Sequence, residues 1–241
     1  MILSLFEVLI LSSALAWASG INLYATVAFL GILGASGQVD LPANLAFVQH
    51  PAVIMIAVFL YFIEFIVDKI PTLDSVWDAV HTFIRIPAGA FLAAGLLESA
   101  GGETQALAFL LGGGLAAVSH LVKSGSRAVL NTSPEPVTNI MASVAEDIMV
   151  IGGLIMAFMS PSIFAAFLAL FLLLAIWLIP KVYRGLRGLF RFMSGQSGKN
   201  STNPGVGRAD WSFGKKTDLK SGELFLRLSG KPGKDDNTPL E

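Results

Sequence analysis

Long apolar segments constrain this chain more than any other feature of its sequence. Residues 163–179 contain only apolar side chains, and residues 51–63 contain none that is charged. A helix of about 20 apolar residues crosses the roughly 30 Å of hydrocarbon in a bilayer. The mean hydropathy of +0.69, with 54% hydrophobic and 14% charged residues, extends this pattern over most of the chain. The sequence therefore predicts an all-α bundle of membrane-spanning helices.

We expect about six crossings in two halves of three helices each. The first, residues 2–35, is too long for one straight crossing and is expected to break or tilt strongly at Gly20 to Asn22. The other expected spans are residues 51–68, 71–97, 104–121, 138–159 and 163–179. Within the third, residues 71–86 are predicted as an amphipathic helix and residues 87–97 as a separate short one. A second break is expected between Ser124 and Pro136. Since broken helices in corresponding positions are typical of transporters, an inverted repeat is a hypothesis.

The basic residues are distributed unevenly along the chain. Lys69, Arg85, Lys123 and Arg127 precede Pro180, and the other 12 of the 16 Lys and Arg follow it. This shift predicts a transmembrane domain, residues 1–180, and a basic juxtamembrane segment with a disordered cytoplasmic tail, residues 181–241.

The same distribution predicts the orientation. Loops 36–50, 98–103 and 160–162 contain no Lys or Arg, so the positive-inside rule favours a multi-pass protein of the cell inner (plasma) membrane with both termini cytoplasmic. Only a re-entrant hairpin of residues 1–35 would move the N-terminus outside. The absence of cysteine excludes disulfides, thiolate metal sites and cysteine nucleophiles.

Ionisable side chains in hydrocarbon cost at least a few kcal/mol each, so they indicate function or a buried partner. Glu64 and Asp68 lie one helical turn apart near the inner end of the second span. Two such carboxylates either share a cation or leave one protonated. Alternatively, Asp68 pairs with Lys69 or Arg85.

A second set of polar residues follows at helical spacing. Asp74, Asp78, His81 and Arg85 form one stripe of the helix that begins at Pro71, which predicts a helix at the interface or beside a wet cavity. The stripe fits an internal ion-pair network, a proton or substrate relay, or a divalent metal site. Its spacing matches no recognised metal motif.

A third set continues across the next loop into the following span. It comprises His120, Lys123, Ser126, Arg127, Asn131, Ser133, Glu135, Glu146 and Asp147. Basic groups opposite deep acids predict either a charge-neutralised core or a path for an anion and protons. We include Asn22, at the first break, in this path.

Several motifs along the chain occur together in one family. They are Gly20-Ile21-Asn22-Leu23-Tyr24-Ala25-Thr26, Glu64-Phe65, Asp68-Lys69-Ile70-Pro71, Asp74-Ser75, Trp77-Asp78, His81-Thr82, the segment 123–127, Asn131-Thr132-Ser133-Pro134-Glu135-Pro136 and Glu146-Asp147. Over about residues 16–153 the chain resembles the bacterial and plastid membrane family catalogued as domain of unknown function 4126. The resemblance implies membrane location and importance for these positions, but it supplies no activity.

The leading functional hypothesis is a small secondary transporter or lipid-headgroup translocator. In it, carboxylates handle protons or cations (Glu64, Asp68, Glu146 and Asp147), and basic groups hold an anion (Arg85, Lys123 and Arg127). A membrane-embedded enzyme acting on a lipid phosphate, with His81 or His120 as base, is less favoured because no H-E-x-x-H or G-x-S-x-G pattern is present. A scaffold that recruits partners through its tail is a third hypothesis.

These hypotheses also define the expected partners. We expect membrane lipid and either an anionic solute or a cation or proton, with no cofactor and no nucleic acid. The oligomeric state stays open.

Overall fold

The computed structural model describes residues 4–131 and 136–196, and this part of the chain is helical without strands. Seven α-helices follow one another: α1 (Leu5–Ile21), α2 (Leu23–Ala35), α3 (Pro51–Val67), α4 (Pro71–Leu96), α5 (Gly102–Leu130), α6 (Pro136–Met159) and α7 (Pro161–Gln196). Short 3-10 turns lie at Ala43–Gln49 and Glu98–Ala100. The expected tail beyond Gln196 lies outside the described residues.

Helices α4 to α7 are each long and apolar enough to cross a membrane. The 3-10 turn before α3 joins it at an angle of 65°, and together they form a fifth candidate span. The predicted all-α membrane bundle is therefore confirmed, with four or five candidate crossings among the described residues rather than about six. The difference arises from α1 and α2, whose lengths of 17 and 13 residues correspond to only about 25 and 20 Å.

Helix α1 runs from one end of the bundle towards its centre. At its middle, the Ser12 hydroxyl donates to the carbonyl of Ala93, close to the end of α4. At its finish, the Ile21 carbonyl accepts from Lys123, in the second half of α5. Since α5 ends where α4 begins, α1 enters from the end of the bundle at which α4 finishes.

Helix α2 then returns to the end from which α1 came. Its Gly31 packs against Val48 and Ile54, beside the start of α3. The pair α1–α2 is consequently a re-entrant V with its tip at Asn22, which has an extended backbone (φ −143°, ψ 97°). The Asn22 side-chain oxygen accepts from the Ala25 backbone N–H at 2.9 Å and so caps α2.

We use "basic end" for the end of the bundle where α3 and α5 finish, α4 and α6 begin, and α7 carries Lys181 and Arg184. Val182 packs against Gly125 of α5, which places this part of α7 at the same end. The start of α1 lies at the opposite end. The two ends of the described helical region therefore lie at opposite ends of the bundle, as in the re-entrant alternative, because Asn22 reverses the chain. On which side of a membrane each terminus lies stays a prediction.

Three other helices differ from the sequence-based boundaries. Helix α4 is continuous through Pro87, and Gly89, two residues later, packs closely against Ala116 of α5 and Ser19 of α1. Helix α5 continues through Ser124 to Leu130, so the second expected break is the connection between α5 and α6 at the basic end. Residues 132–135 of this connection lie outside the described residues. Helix α7 continues through Pro180.

Many large apolar side chains lie on the outside of the bundle, and eight Asp, Glu, Lys and Arg side chains of the described residues are buried inside it. On α4 the apolar stripe is exposed, with Phe83 at 83%, whereas Asp74, Asp78 and Arg85 are buried. The polar stripe of α4, predicted to lie at an interface or beside a wet cavity, is instead buried between helices. Trp17 of α1 is fully buried among three Phe side chains of α7. Such an apolar exterior around a polar interior is characteristic of an integral membrane protein.

Candidate functional site

Charged side chains from α3, α4, α5 and α6 converge next to the tip of the re-entrant pair. We call them the ionic cluster: Glu64, Asp68, Asp74, Asp78, Arg85, Lys123, Arg127, Glu146 and Asp147. All except Glu146 are at most 8% exposed, and the Glu146 side chain is 14% exposed. The structure thereby brings together acids and bases from all three sequence-predicted sets.

Lys123 occupies the centre of the cluster. Its ammonium contacts Glu64 Oε1 at 3.1 Å and Asp68 Oδ2 at 2.8 Å, and it donates to the Ile21 carbonyl at 3.1 Å. Glu64 and Asp68 therefore share a cation, which was one of the interpretations of this pair. The shared cation is the Lys123 side chain. The carboxylate of Asp68 is paired with Lys123 rather than with Lys69 or Arg85.

Lys69 lies in the turn between α3 and α4, outside the spans. Its ammonium donates to the Phe65 carbonyl at 2.8 Å. Desolvation lowers the pKa of Lys69, and the negative charges of Asp147 and Asp68 oppose this shift.

The two arginines each bind several acceptors. Arg85 contacts Glu64 at 2.6 Å and Asp78 at 2.9 Å, so the α4 stripe contains the internal ion pair that was one of its interpretations. Arg127 binds both carboxylate oxygens of Glu146, at 2.7 and 3.0 Å, in the bidentate arrangement that suits a guanidinium. Every basic side chain of the cluster is thus engaged by carboxylates.

Two histidines adjoin the cluster. The Nδ1 of His81 lies 2.8 Å from the Trp77 carbonyl and must donate to it, so in neutral His81 the Nε2 accepts from the Tyr24 hydroxyl at 2.9 Å. His120 lies 2.7 Å from the Thr82 hydroxyl and 3.4 Å from Arg85. These contacts extend the polar network from α5 and α4 to the start of α2.

Amides lie at both edges of the cluster. Asn131 donates to Asp74 at 3.0 Å near the basic end, and Asn22 donates to Asp147 at 3.3 Å at the tip of the V. Ser126, of the third set, donates to the Lys123 carbonyl at 2.7 Å. Ser133 and Glu135 lie outside the described residues.

The sequence-based selection omitted several residues that take part in the network. Tyr24 and Thr82 contact the histidines, and the Asn139 side-chain amide donates to the side-chain oxygen of Asn131 at 3.1 Å. Helical spacing could have found Asn139, because it lies one and two turns before Ser143 and Glu146 on α6.

Carboxylates outnumber cations in the cluster by six to three. Five buried carboxylate oxygens have no hydrogen-bond donor among the described residues: Glu64 Oε2, Asp68 Oδ1, Asp74 Oδ2, Asp78 Oδ2 and Asp147 Oδ2. Glu64, Asp68, Asp74 and Asp78 form ion pairs with Lys or Arg, whereas Asp147 forms none within the described residues. An uncompensated carboxylate in a low-dielectric interior is costly, so Asp147 in particular has the capacity to take up a proton or a cation.

The arrangement gives no support to a divalent metal site. Within residues 4–131 and 136–196, no group of three or more His, Asp or Glu side chains is placed to hold a metal ion. The described part of the α4 stripe therefore lacks a ligand set for the metal interpretation.

One family model matches this chain, and it is described as domain of unknown function (DUF4126), over residues 9–181. The matched region includes every residue of the ionic cluster. No curated protein matches the chain. No solved structure matches it either.

Proposed function

The chain belongs to the domain of unknown function 4126 family, and from this premise and its buried charges we propose that it is a small secondary transporter whose carboxylates carry protons. The single observation that carries this proposal is the surplus of acids in the ionic cluster. If all six carboxylates were ionised, three negative charges would remain uncompensated inside a membrane protein. Protonation removes such a charge at much lower cost than burial of the ion.

Asp147 is the carboxylate best suited to exchange its proton. Its Oδ1 accepts one hydrogen bond, from Asn22 at 3.3 Å, and no Lys or Arg of the described chain forms an ion pair with it. Glu64, Asp68 and Glu146, by contrast, each lie within 2.8 Å of a Lys or Arg nitrogen. In this proposal they stabilise the bundle, and Asp147 changes its protonation state.

The position of Asp147 also suits coupling to a conformational change. It contacts the tip of a re-entrant helix pair, where the backbone of Asn22 leaves the helical conformation. Discontinuous helices near the middle of the membrane form the substrate and ion sites of many secondary transporters. We further propose that the basic end faces the cytoplasm in an inner membrane, following the positive-inside rule.

Proton movement in proteoliposomes tests the proposal. The purified chain is reconstituted with an internal pH-sensitive dye, and valinomycin with a potassium gradient sets an inside-negative potential. We expect faster internal acidification than in protein-free liposomes, and Asp147→Asn is expected to return the rate to that of protein-free liposomes. Glu103→Gln, an exposed acid at the opposite end, is the matched control and should behave as the wild type.

The proposal fails if wild-type liposomes acidify no faster than empty ones, or if Asp147→Asn acidifies as fast as the wild type. A purely structural network is the second candidate, favoured by the close pairing of Arg85, Lys123 and Arg127 with acids. It predicts that the Asp147 substitution changes only stability. Thermal unfolding of the same variant therefore separates the two.

A further inference from the structure

A crevice of about 360 Å³ lies between α3 and α6, on the outer surface of the bundle next to the ionic cluster. Its walls are almost entirely apolar and include Tyr61, Phe65, Val144, Ile148, Ile151 and Ile155. Its volume is in the range of sites for small organic molecules.

One carboxylate lines this crevice. Asp147 is 8% exposed, and its Oδ2 has no hydrogen-bond donor within the described residues. Among the residues that line the crevice, the only other ionisable group is the Tyr61 hydroxyl; the Lys69 ammonium lies against the Phe65 ring. A single buried anion in an apolar site selects a positively charged ligand with an apolar body.

The aromatic rings of α3 suit the same ligand. Tyr61 and Phe65 are one turn apart, with ring centroids separated by 6.3 Å. The ammonium of Lys69 already lies 2.8 Å from the centroid of the Phe65 ring, so a cation–aromatic contact exists at this wall. Because Lys69 covers one face of Phe65, the Tyr61 ring is the better contact for a bound cation.

The crevice opens towards lipid. Ile148 and Ile155 on its rim are 67% and 48% exposed on the apolar exterior of α6. A ligand that partitions into the bilayer can therefore reach Asp147 laterally, without passing through the ionic cluster.

We propose that the crevice between α3 and α6 binds a lipophilic monovalent organic cation, with Asp147 as its counter-ion and Tyr61 as its aromatic contact. This inference rests on the proposed transport function and names its substrate class. It makes Asp147 the residue at which a proton and the organic cation compete.

Equilibrium binding of radiolabelled tetraphenylphosphonium to the purified full chain in detergent tests the inference. We expect saturable binding by the wild type and by Glu103→Gln. Asp147→Asn should lose at least about tenfold in affinity, because it removes the counter-ion from a desolvated pair. Uncharged triphenylphosphine oxide should not compete, since it lacks the positive charge.

A second variant blocks the crevice without changing its charge. A Cβ on Gly152 would meet no other atom within 4 Å, so Gly152→Phe directs a ring towards the crevice without a backbone clash. We expect it to abolish tetraphenylphosphonium binding, and it decides the question alone if Asp147→Asn fails to fold.

The inference is overturned if the folded wild type shows no saturable binding, if binding survives in Gly152→Phe, or if triphenylphosphine oxide competes equally. The proton assay is read separately. Asp147-dependent proton movement without tetraphenylphosphonium binding refutes the substrate class and leaves proton transport standing. Tetraphenylphosphonium binding supports the site, and the transport proposal is then refuted if protons move neither alone nor in exchange for tetraphenylphosphonium.

Discussion

Replacing Lys123 with methionine removes the ammonium that two carboxylates share while keeping most of the side-chain volume. In the structure this ammonium lies 3.1 Å from Glu64 Oε1, 2.8 Å from Asp68 Oδ2 and 3.1 Å from the Ile21 carbonyl. Glu64 retains Arg85 at 2.6 Å, but the Asp68 carboxylate keeps only the more distant Arg127, at 3.8 Å. Lys123→Met is therefore expected to leave Asp68 largely uncompensated.

The loss of one partner from a buried pair costs about 3–5 kcal/mol. For a chain of this size, each kcal/mol lowers the unfolding temperature by about 2–4 °C, so we expect a decrease of roughly 6–20 °C. A second substitution, Asp68→Asn, should recover much of this loss in the Lys123→Met background, since a neutral amide needs no counter-ion.

Thermal unfolding of the purified chain in detergent measures this effect. Lys181→Met is the matched control, because Lys181 is exposed at the basic end. It removes only an exposed cation–aromatic contact with Trp177, of about 0.5–1 kcal/mol, so its unfolding temperature should stay within about 4 °C of the wild type. The reasoning is refuted if Lys123→Met unfolds within 2 °C of the wild type, a limit set by about 1 kcal/mol. It is also refuted if Asp68→Asn adds a further loss to Lys123→Met.

Three further outcomes are expected. Gly20→Ala should destabilise the bundle by about 1–3 kcal/mol, because the added Cβ would meet a backbone carbonyl of α5. Gly114→Ala has open space around it and should be neutral or stabilising. Equal unfolding temperatures of the two variants would contradict this expectation. Asn22→Ala should cost about 0.5–2 kcal/mol as a lost helix cap, and Asn22→Ser should restore part of it in the same thermal assay. Because the chain has no cysteine, Ser4→Cys and Arg184→Cys can each be labelled as the single cysteine of the protein in sealed vesicles. A membrane-impermeant maleimide should reach the two cysteines from opposite sides of the membrane. Labelling of both from the same side would rule out the re-entrant V.

The polar residues of the site were predictable because burial in a membrane makes them costly. Asp74, Asp78, His81 and Arg85 repeat at helical spacing opposite an apolar stripe, so a shared helix face followed from the sequence alone. Which carboxylate meets which base was not predictable, since Lys123 and Asp68 are brought together by the register between α3 and α5.

The break at Gly20 to Asn22 was also predicted, but the direction of α2 was not. Hydropathy is the same whether an apolar helix continues across the membrane or turns back, so residues 2–35 were expected to form one crossing. The reversal is set by the extended backbone of Asn22 and by the packing of Gly31 against the start of α3. Both depend on residues that a local pattern does not include.

The tip of the V has a consequence for how the chain is assembled during synthesis. The carbonyl of Ile21 receives its donor from Lys123, 102 positions later, and that of Gly20 lies 3.3 Å from a ring nitrogen of His120, 100 positions later. A backbone carbonyl without a donor is strongly disfavoured in lipid. A ribosome that has made only the first hundred residues has therefore produced a hairpin that cannot yet settle at its final depth. We therefore expect its tip to reach its final depth only after α5 has been made.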